Sequence, residues 1–248
     1  MKKIIYKVIF VLSCLVIICC AFALIKMYLP KTDDDKIEKY KKETVATSEN
    51  LPDNPIDFDK LQKQNSDVYA WITIPKTRID YPIAQASRDE DDNFYLDHNI
   101  DRKYDSSGMI YSQKKNSFDF TDPVTVLYGH DMKNGTMFKD LHKFQNEKFF
   151  KKSKTIYIYI PGHKLTYTIV SAYVYDDRHI LNSFDFSKKK VFKKYINSLT
   201  NPKSIVANVR EDVAVTTDDR ILTLSTCTGY NSQRYLVQGV LTDDTITK

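Results

Sequence analysis

From residue 66 onward the sequence is broken into short stretches of alternating apolar and polar residues, and this succession constrains the fold most. Ile156-Tyr-Ile-Tyr-Ile160 alternates strictly and runs into Pro161-Gly162, the pattern of a half-buried strand entering a hairpin. The same period of two predicts strands at Ala70–Ile74, Ile79–Gln85, Gly108–Tyr111, Val124–Tyr128 and Ile156–Ile160. Further strands are predicted at Leu165–Tyr175, Val213–Thr216, Ile221–Thr226 and Tyr235–Leu241. One long helix interrupts them: after Ser187, a candidate N-cap, Val191, Phe192, Tyr195, Ile196 and Leu199 share a helical face opposite a row of lysines. A shorter helix over Asp57–Asn65, capped by Asp57, precedes the first strand. Many short strands with few helices predict a mainly β chain with peripheral helices, closed as a barrel or stacked as a sandwich. At 248 residues there is room for one sizeable domain plus appendages.

The N-terminus reads differently. Residues 1–7 carry Lys2, Lys3 and Lys7, and the 18 residues Val8 to Ile25 follow with only Ser13 clearly polar. As a helix this run is about 27 Å long, close to the hydrocarbon thickness of a bilayer. Ala21-Phe-Ala23 has the look of a cleavage site, but the run exceeds the usual signal-peptide core of roughly 7–15 residues. The expectation is a retained transmembrane signal-anchor over 8–29, with residues 1–7 in the cytoplasm and the remainder on the extracellular face of the cell membrane. Residues 30–54 are polar and charged, the composition of a linker, which leaves 55–248 as the folded domain.

Net charge of +5 is modest and spread along the chain, without the basic block or interleaved aromatics of a nucleic-acid binder. Cysteine usage is more informative. Three of the four cysteines, Cys14, Cys19 and Cys20, lie in the apolar run, so the expected exported part holds Cys227 alone. An unpaired thiol in an exported protein is either put to chemical use or a liability. No Cys or His stands at ligand spacing from Cys227, and Asp89-Glu-Asp-Asp92 lacks the spacing of a calcium loop, so no metal site is expected.

Leu222-Thr-Leu-Ser-Thr-Cys227 reads as a strand, Thr228–Gln233 as a loop, and the chain resumes an extended pattern from Arg234. Closing that hairpin brings a thiol beside a guanidinium, whose fixed charge can lower a thiol pKa and hold a developing oxyanion. A small buried core cysteine is the commoner fate of such a residue, and the spacing alone favours it. Among the five histidines, His130 is singled out because Val124–Tyr128 runs through Gly129 into it, at a strand end where a sharp turn can present a side chain. His142 reads as a surface residue of a short helical stretch, His163 as part of a solvated turn, and His98 and His179 as unremarkable.

These segments resemble the sortase family. Thr-Leu-Ser-Thr-Cys227 followed by Arg234, and Tyr128-Gly-His130-Asp-Met followed by Met137-Phe138, are similar to its cysteine and histidine motifs. Val68-Tyr-Ala-Trp-Ile-Thr-Ile-Pro75, Ile79-Asp-Tyr-Pro-Ile-Ala-Gln85, Tyr95-Leu-Asp-His98 and the helix after Ser187 are similar to class B sortases in particular. The resemblance spans roughly Asp57 to Leu241. It implies an eight-stranded β-barrel with an N-terminal helix and a helix inserted before the catalytic strand. It also implies a cofactor-free cysteine transpeptidase in which Cys227, His130 and Arg234 meet in one groove. Thr223, Ser225, Thr226, Tyr128 and Tyr230 are the expected substrate contacts. The implied substrates are secreted proteins with a C-terminal sorting signal of the Asn-Pro-x-Thr-Asn or x-Pro-x-Thr-Gly kind. The implied acceptor is an amine of the peptidoglycan precursor or crossbridge. Two alternatives compete with this: a hydrolytic cysteine peptidase or amidase, and a membrane-tethered binding module with Cys227 structural.

Overall fold

The computed structural model describes residues 17–20, 37–41 and 51–248. The chain divides into two units, Met1–Asp33 and Asp34–Lys248. In the first, residues 17–20 are helical and exposed, and the rest of the expected anchor lies outside the described residues. Among the described residues no helix is long and apolar enough to cross a membrane. That finding corrects the expected placement of the chain as a single-pass protein of the cell membrane with its domain on the extracellular face.

The second unit is mainly β, with strands β1 (Val68–Thr73), β2 (Asp80–Gln85), β3 (Ile110–Ser112), β4 (Val124–Tyr128) and β5 (Thr155–Ile160). They are followed by β6 (His163–Asp176), β7 (Ala207–Val209), β8 (Ile221–Cys227) and β9 (Gln233–Ile246). The sheet runs β5-β1-β2-β3-β4-β8-β9-β6-β7, and β6 also pairs with β5, so eight strands close into a barrel. β6 is long enough to close it and extend further: His163–Thr168 pair with β5, and Ser171–Tyr173 pair with β7 beyond the end of β5. The pairs β2/β3 and β4/β8 are parallel and the others antiparallel. Closure removes the exposed edges that short strands would otherwise present.

Alternation sorts the strand residues between the barrel interior and its outer surface. Ile72, Ile83, Leu127, Ile158, Ile169, Leu222, Leu224 and Val237 belong to the main core. Two outer patches are covered by helices. α1 (Phe58–Gln64), capped by the Asp57 side chain on Lys60 N, buries Phe58 and Leu61 among Val68, Trp71 and Ala84. Beyond α2 (Glu147–Lys152) and α3 (Ile180–Ser183), α4 (Lys189–Thr200) buries Phe192, Tyr195, Ile196 and Leu199 against Val126, Val170, Ile221 and Leu236.

Three local expectations change. Tyr40 and Lys41 fall inside the stretch read as linker, yet Tyr40 is buried with Ile56 and Trp71, and the Lys41 ammonium pairs with Asp80. One buried ring and one ion pair seat a segment whose composition is otherwise polar. Ser187 does not cap α4: its hydroxyl and N–H both bond the Asp185 carboxylate, and the helix begins two residues later. Val213–Thr216 is not a strand. Val213 and Val215 pack against the second patch, but Thr216 turns back onto Asp219, and the edge of β6 is taken by β7.

Candidate active site

The site is built at the C-terminal end of β8. On one side β8 runs parallel to β4, with Tyr128 opposite Ser225, and Gly129 N extends the ladder to Ser225 O at 3.2 Å. Carried two residues further, that register sets His130 level with Cys227. On the other side β8 is antiparallel to β9, where Cys227 faces Arg234. The nucleophile candidate therefore ends a central strand, with an imidazole on one neighbour and a guanidinium on the other. Adjacent strands lie about 4.8 Å apart, within reach of both side chains. All three residues line one cleft of about 360 Å³.

Close packing holds this arrangement. A Cβ at Gly129 would lie 2.5 Å from Ile110 Cδ1 and 2.8 Å from Phe138 Cδ2, so only glycine lets the chain turn into His130 there. The Thr226 hydroxyl donates to Gly129 O at 2.8 Å, tying the two strand ends together. His130 Nε2 lies 2.8 Å from Leu96 O, which fixes the proton on Nε2 and leaves Nδ1 as the basic nitrogen of the neutral ring. Gly108, at φ +57°, allows that carbonyl its position, since a Cβ there would come within 2.2 Å of Leu96 O. Arg234 Nη1 donates to Asn231 O at 3.0 Å and Gln233 O at 2.8 Å. Those bonds occupy one terminal nitrogen of a group with five N–H donors.

Cys227 is exposed, so the reading of it as a buried structural residue does not hold. Of the expected substrate contacts, Tyr128, Ser225 and Thr226 line the cleft. Thr223 does not. It shares a strand face with Cys227 but is fully buried, with its hydroxyl 3.0 Å from Tyr195 Oη and from Gln238 Nε2. Period two fixed its face correctly and could not foresee that α4 covers that part of it. Tyr230 lies in the loop after Cys227, 71% exposed and outside the cleft lining.

The far wall was not anticipated. His179 Nε2 lies beside Gln113 Oε1, Gln113 Nε2 donates to Asn93 Oδ1 at 2.9 Å, and the Tyr111 hydroxyl donates to the same oxygen at 3.2 Å. These residues come from three separate segments, around Asn93, Tyr111–Gln113 and His179, so no spacing in the sequence could join them. Burial pushes the Tyr128 phenol up to about 12 and Tyr111 higher still, so both hydroxyls stay neutral beside the thiol. The Tyr128 hydroxyl is buried with no hydrogen-bond partner among the described residues. His142, read as a surface residue, instead lies 2.9 Å from Cys227 O through Nε2. Among the described residues no group of three or more His, Cys, Asp or Glu side chains could hold a metal ion.

Comparison with known proteins places this geometry. The sortase domain family model matches residues 72–242. Sortase B of Listeria monocytogenes is 33% identical over 214 residues, covering 84% of this chain and 82% of that protein. The crystal structure of Clostridium perfringens sortase B superimposes with a TM-score of 0.67 at 33% identity, covering 75% of this chain and all of that one. A Staphylococcus aureus sortase B–substrate complex gives a TM-score of 0.66 at 27% identity, covering 75% of this chain and 85% of that one.

Proposed function

The chain belongs to the sortase family, whose members are cysteine transpeptidases, and from that premise we propose how its own residues divide the reaction. The family acts on sorting signals and passes the product to a cell-wall amine. In this chain the Cys227 thiolate attacks the carbonyl carbon of a peptide bond in the sorting signal. Arg234, together with a backbone N–H beside Cys227, carries the negative charge that develops on the carbonyl oxygen. The C–N bond then breaks, the departing amine takes a proton from His130, and a thioester to Cys227 remains. An amine of the peptidoglycan precursor or crossbridge attacks the thioester and gives its proton to His130. The new amide leaves and the thiolate is restored, with no cofactor consumed.

One observation carries this reading: the end of β8 sets an exposed thiol between His130 of the β4 extension and Arg234 of β9, in one cleft. The Leu96 carbonyl supports the role of His130, because its hydrogen bond from Nε2 strengthens when the ring becomes positively charged. Tyr128, Ser225 and Thr226 line the part of the cleft assigned to a peptide of the Asn-Pro-x-Thr-Asn or x-Pro-x-Thr-Gly kind. The folded catalytic unit is assigned to residues 55–248, with Tyr40 and Lys41 packed onto it.

The test is product analysis on peptides of both kinds, with and without an added amine such as triglycine. A ligated product that grows with amine concentration is expected. Cleavage to the free acid at a rate indifferent to amine would identify a hydrolase using the same nucleophile.

A further inference from the structure

We propose that His142 is a positioning residue of the reaction, acting on the nucleophile's own peptide group. This deepens the reading of Cys227 as nucleophile and rests on it. His142 lies on the 3-10 turn Phe138–Gln145, whose Phe138, Leu141 and Phe144 are buried in the barrel core. That platform is fixed further by Asn208 Nδ2, which donates to Phe144 O at 2.7 Å and Gln145 O at 3.1 Å. The ring stacks on the fully buried Tyr235, with centroids 5.0 Å apart.

Each ring nitrogen has an assigned task. Gln145 Nε2 lies 3.0 Å from Nδ1, and an amide NH₂ can only donate, so Nδ1 accepts and the proton sits on Nε2. Nε2–H then donates to Cys227 O at 2.9 Å. Asp131 Oδ2, from the residue after His130, lies 3.4 Å from the same nitrogen and belongs to a carboxylate paired with Lys139 at 2.8 Å. One imidazole thus touches both the strand that ends in the nucleophile and the segment that carries the general acid and base.

The consequence follows from peptide geometry. The group joining Cys227 to Thr228 is planar and trans, so its N–H points opposite to its C=O. Fixing the carbonyl on His142 aims the Thr228 N–H the other way, towards the β9 side, where Arg234 stands opposite Cys227. Thr228 also contributes its hydroxyl to the loop, accepting from Tyr230 N at 3.4 Å. A glycine-containing loop follows, with Gly229 at φ +88°, a conformation that glycine adopts readily. His142 restrains this peptide plane from its carbonyl side and keeps an oxyanion donor pre-oriented, which is what makes such donors effective.

The experiment compares two reactions of the Cys227 thiol in the full-length protein, read by mass spectrometry of the Cys227 peptide. Acylation by p-nitrophenyl acetate passes through an oxyanion, and alkylation by iodoacetamide does not. His142→Phe keeps a ring on Tyr235 and removes the donor; His142→Gln keeps a nitrogen donor where Nε2 stands. His142→Phe is expected to slow acylation roughly ten- to a hundredfold, the scale of a lost or misplaced donor, with alkylation unchanged within about twofold. His142→Gln is expected to recover most of the loss. Gln145→Met, at an exposed position, leaves the ring in place but frees its tautomer, and is expected to slow acylation by a smaller factor. Wild-type acylation in both His142→Phe and Gln145→Met overturns the proposal. So does a parallel fall of acylation, alkylation and melting temperature, or a Gln variant no better than Phe. A wild-type Cys227 that reacts with both reagents no faster than free cysteine would instead overturn the nucleophile reading, and this inference with it.

Discussion

Thr223 and Cys227 sit four residues apart on the same face of β8, and they have opposite fates. Thr223 is fully buried, its hydroxyl joined to Tyr195 of α4 and to Gln238 of β9. Cys227 is exposed in the cleft. Nothing along the strand distinguishes them, since both are small residues of one parity. The difference comes from what lies over them: α4 covers the first half of the strand face and stops short of the second. A strand face is therefore core where a helix covers it and a reactive site where the cover ends. Within four positions the strand passes from a site that supports stability to one that supports chemistry.

The largest effect that could break this contrast is at the open end. Cys227→Ala is expected to leave no measurable sorting-peptide turnover while the melting temperature stays at its wild-type value, because an exposed strand-end thiol packs against little. Turnover near wild type would move the chemistry elsewhere. His130→Ala is expected to cost roughly 10²–10⁴ in kcat/KM, the usual span for a general acid and base. A loss confined to KM would make His130 a binding residue instead.

Arg234 sharpens the account of the same end. If its guanidinium carries the oxyanion, Arg234→Lys keeps the charge and loses the forked donor, and the rate should fall by about 10²–10³. Arg234→Ala should then be similarly poor. Near wild-type kinetics for the lysine variant would reduce Arg234 to a general positive charge beside the thiol.

The smallest effect belongs to the covered end. Thr223→Val removes a hydroxyl from a buried cluster in which Gln238 Nε2 still donates to Tyr195 Oη at 2.8 Å. The expected cost is about 1 kcal/mol, a fall of roughly 2–4 °C in melting temperature, with turnover unchanged. A loss of turnover at unchanged melting temperature would put Thr223 back in the groove and erase the contrast.

The two outer patches of the barrel repeat the lesson at larger scale. The α4 patch was readable: Phe192, Tyr195, Ile196 and Leu199 recur at helical spacing, and the structure buries all four. The α1 patch was only half readable, because Tyr40 reaches it from a stretch whose composition signals no packing. Periodicity reports an amphipathic element well, since it is a property of consecutive residues. It reports a single buried ring on a polar segment poorly, since one side chain makes no period.

By itself the sequence determined the strand-rich architecture, the parity of β8, the Cys227-to-Arg234 hairpin and the Gly129 turn into His130. Each of these is local, fixed by alternation, by loop chemistry or by one glycine. The tertiary structure alone decided that eight strands close, that His130 binds the Leu96 carbonyl held in place by Gly108, and that Thr223 is core. It alone joined His179, Gln113, Asn93 and Tyr111 into one wall, and turned His142 from an apparent surface residue into a partner of the Cys227 carbonyl. These contacts link residues tens of positions apart through strand register and helix cover, and register is set by the packing of the whole barrel rather than by any one segment.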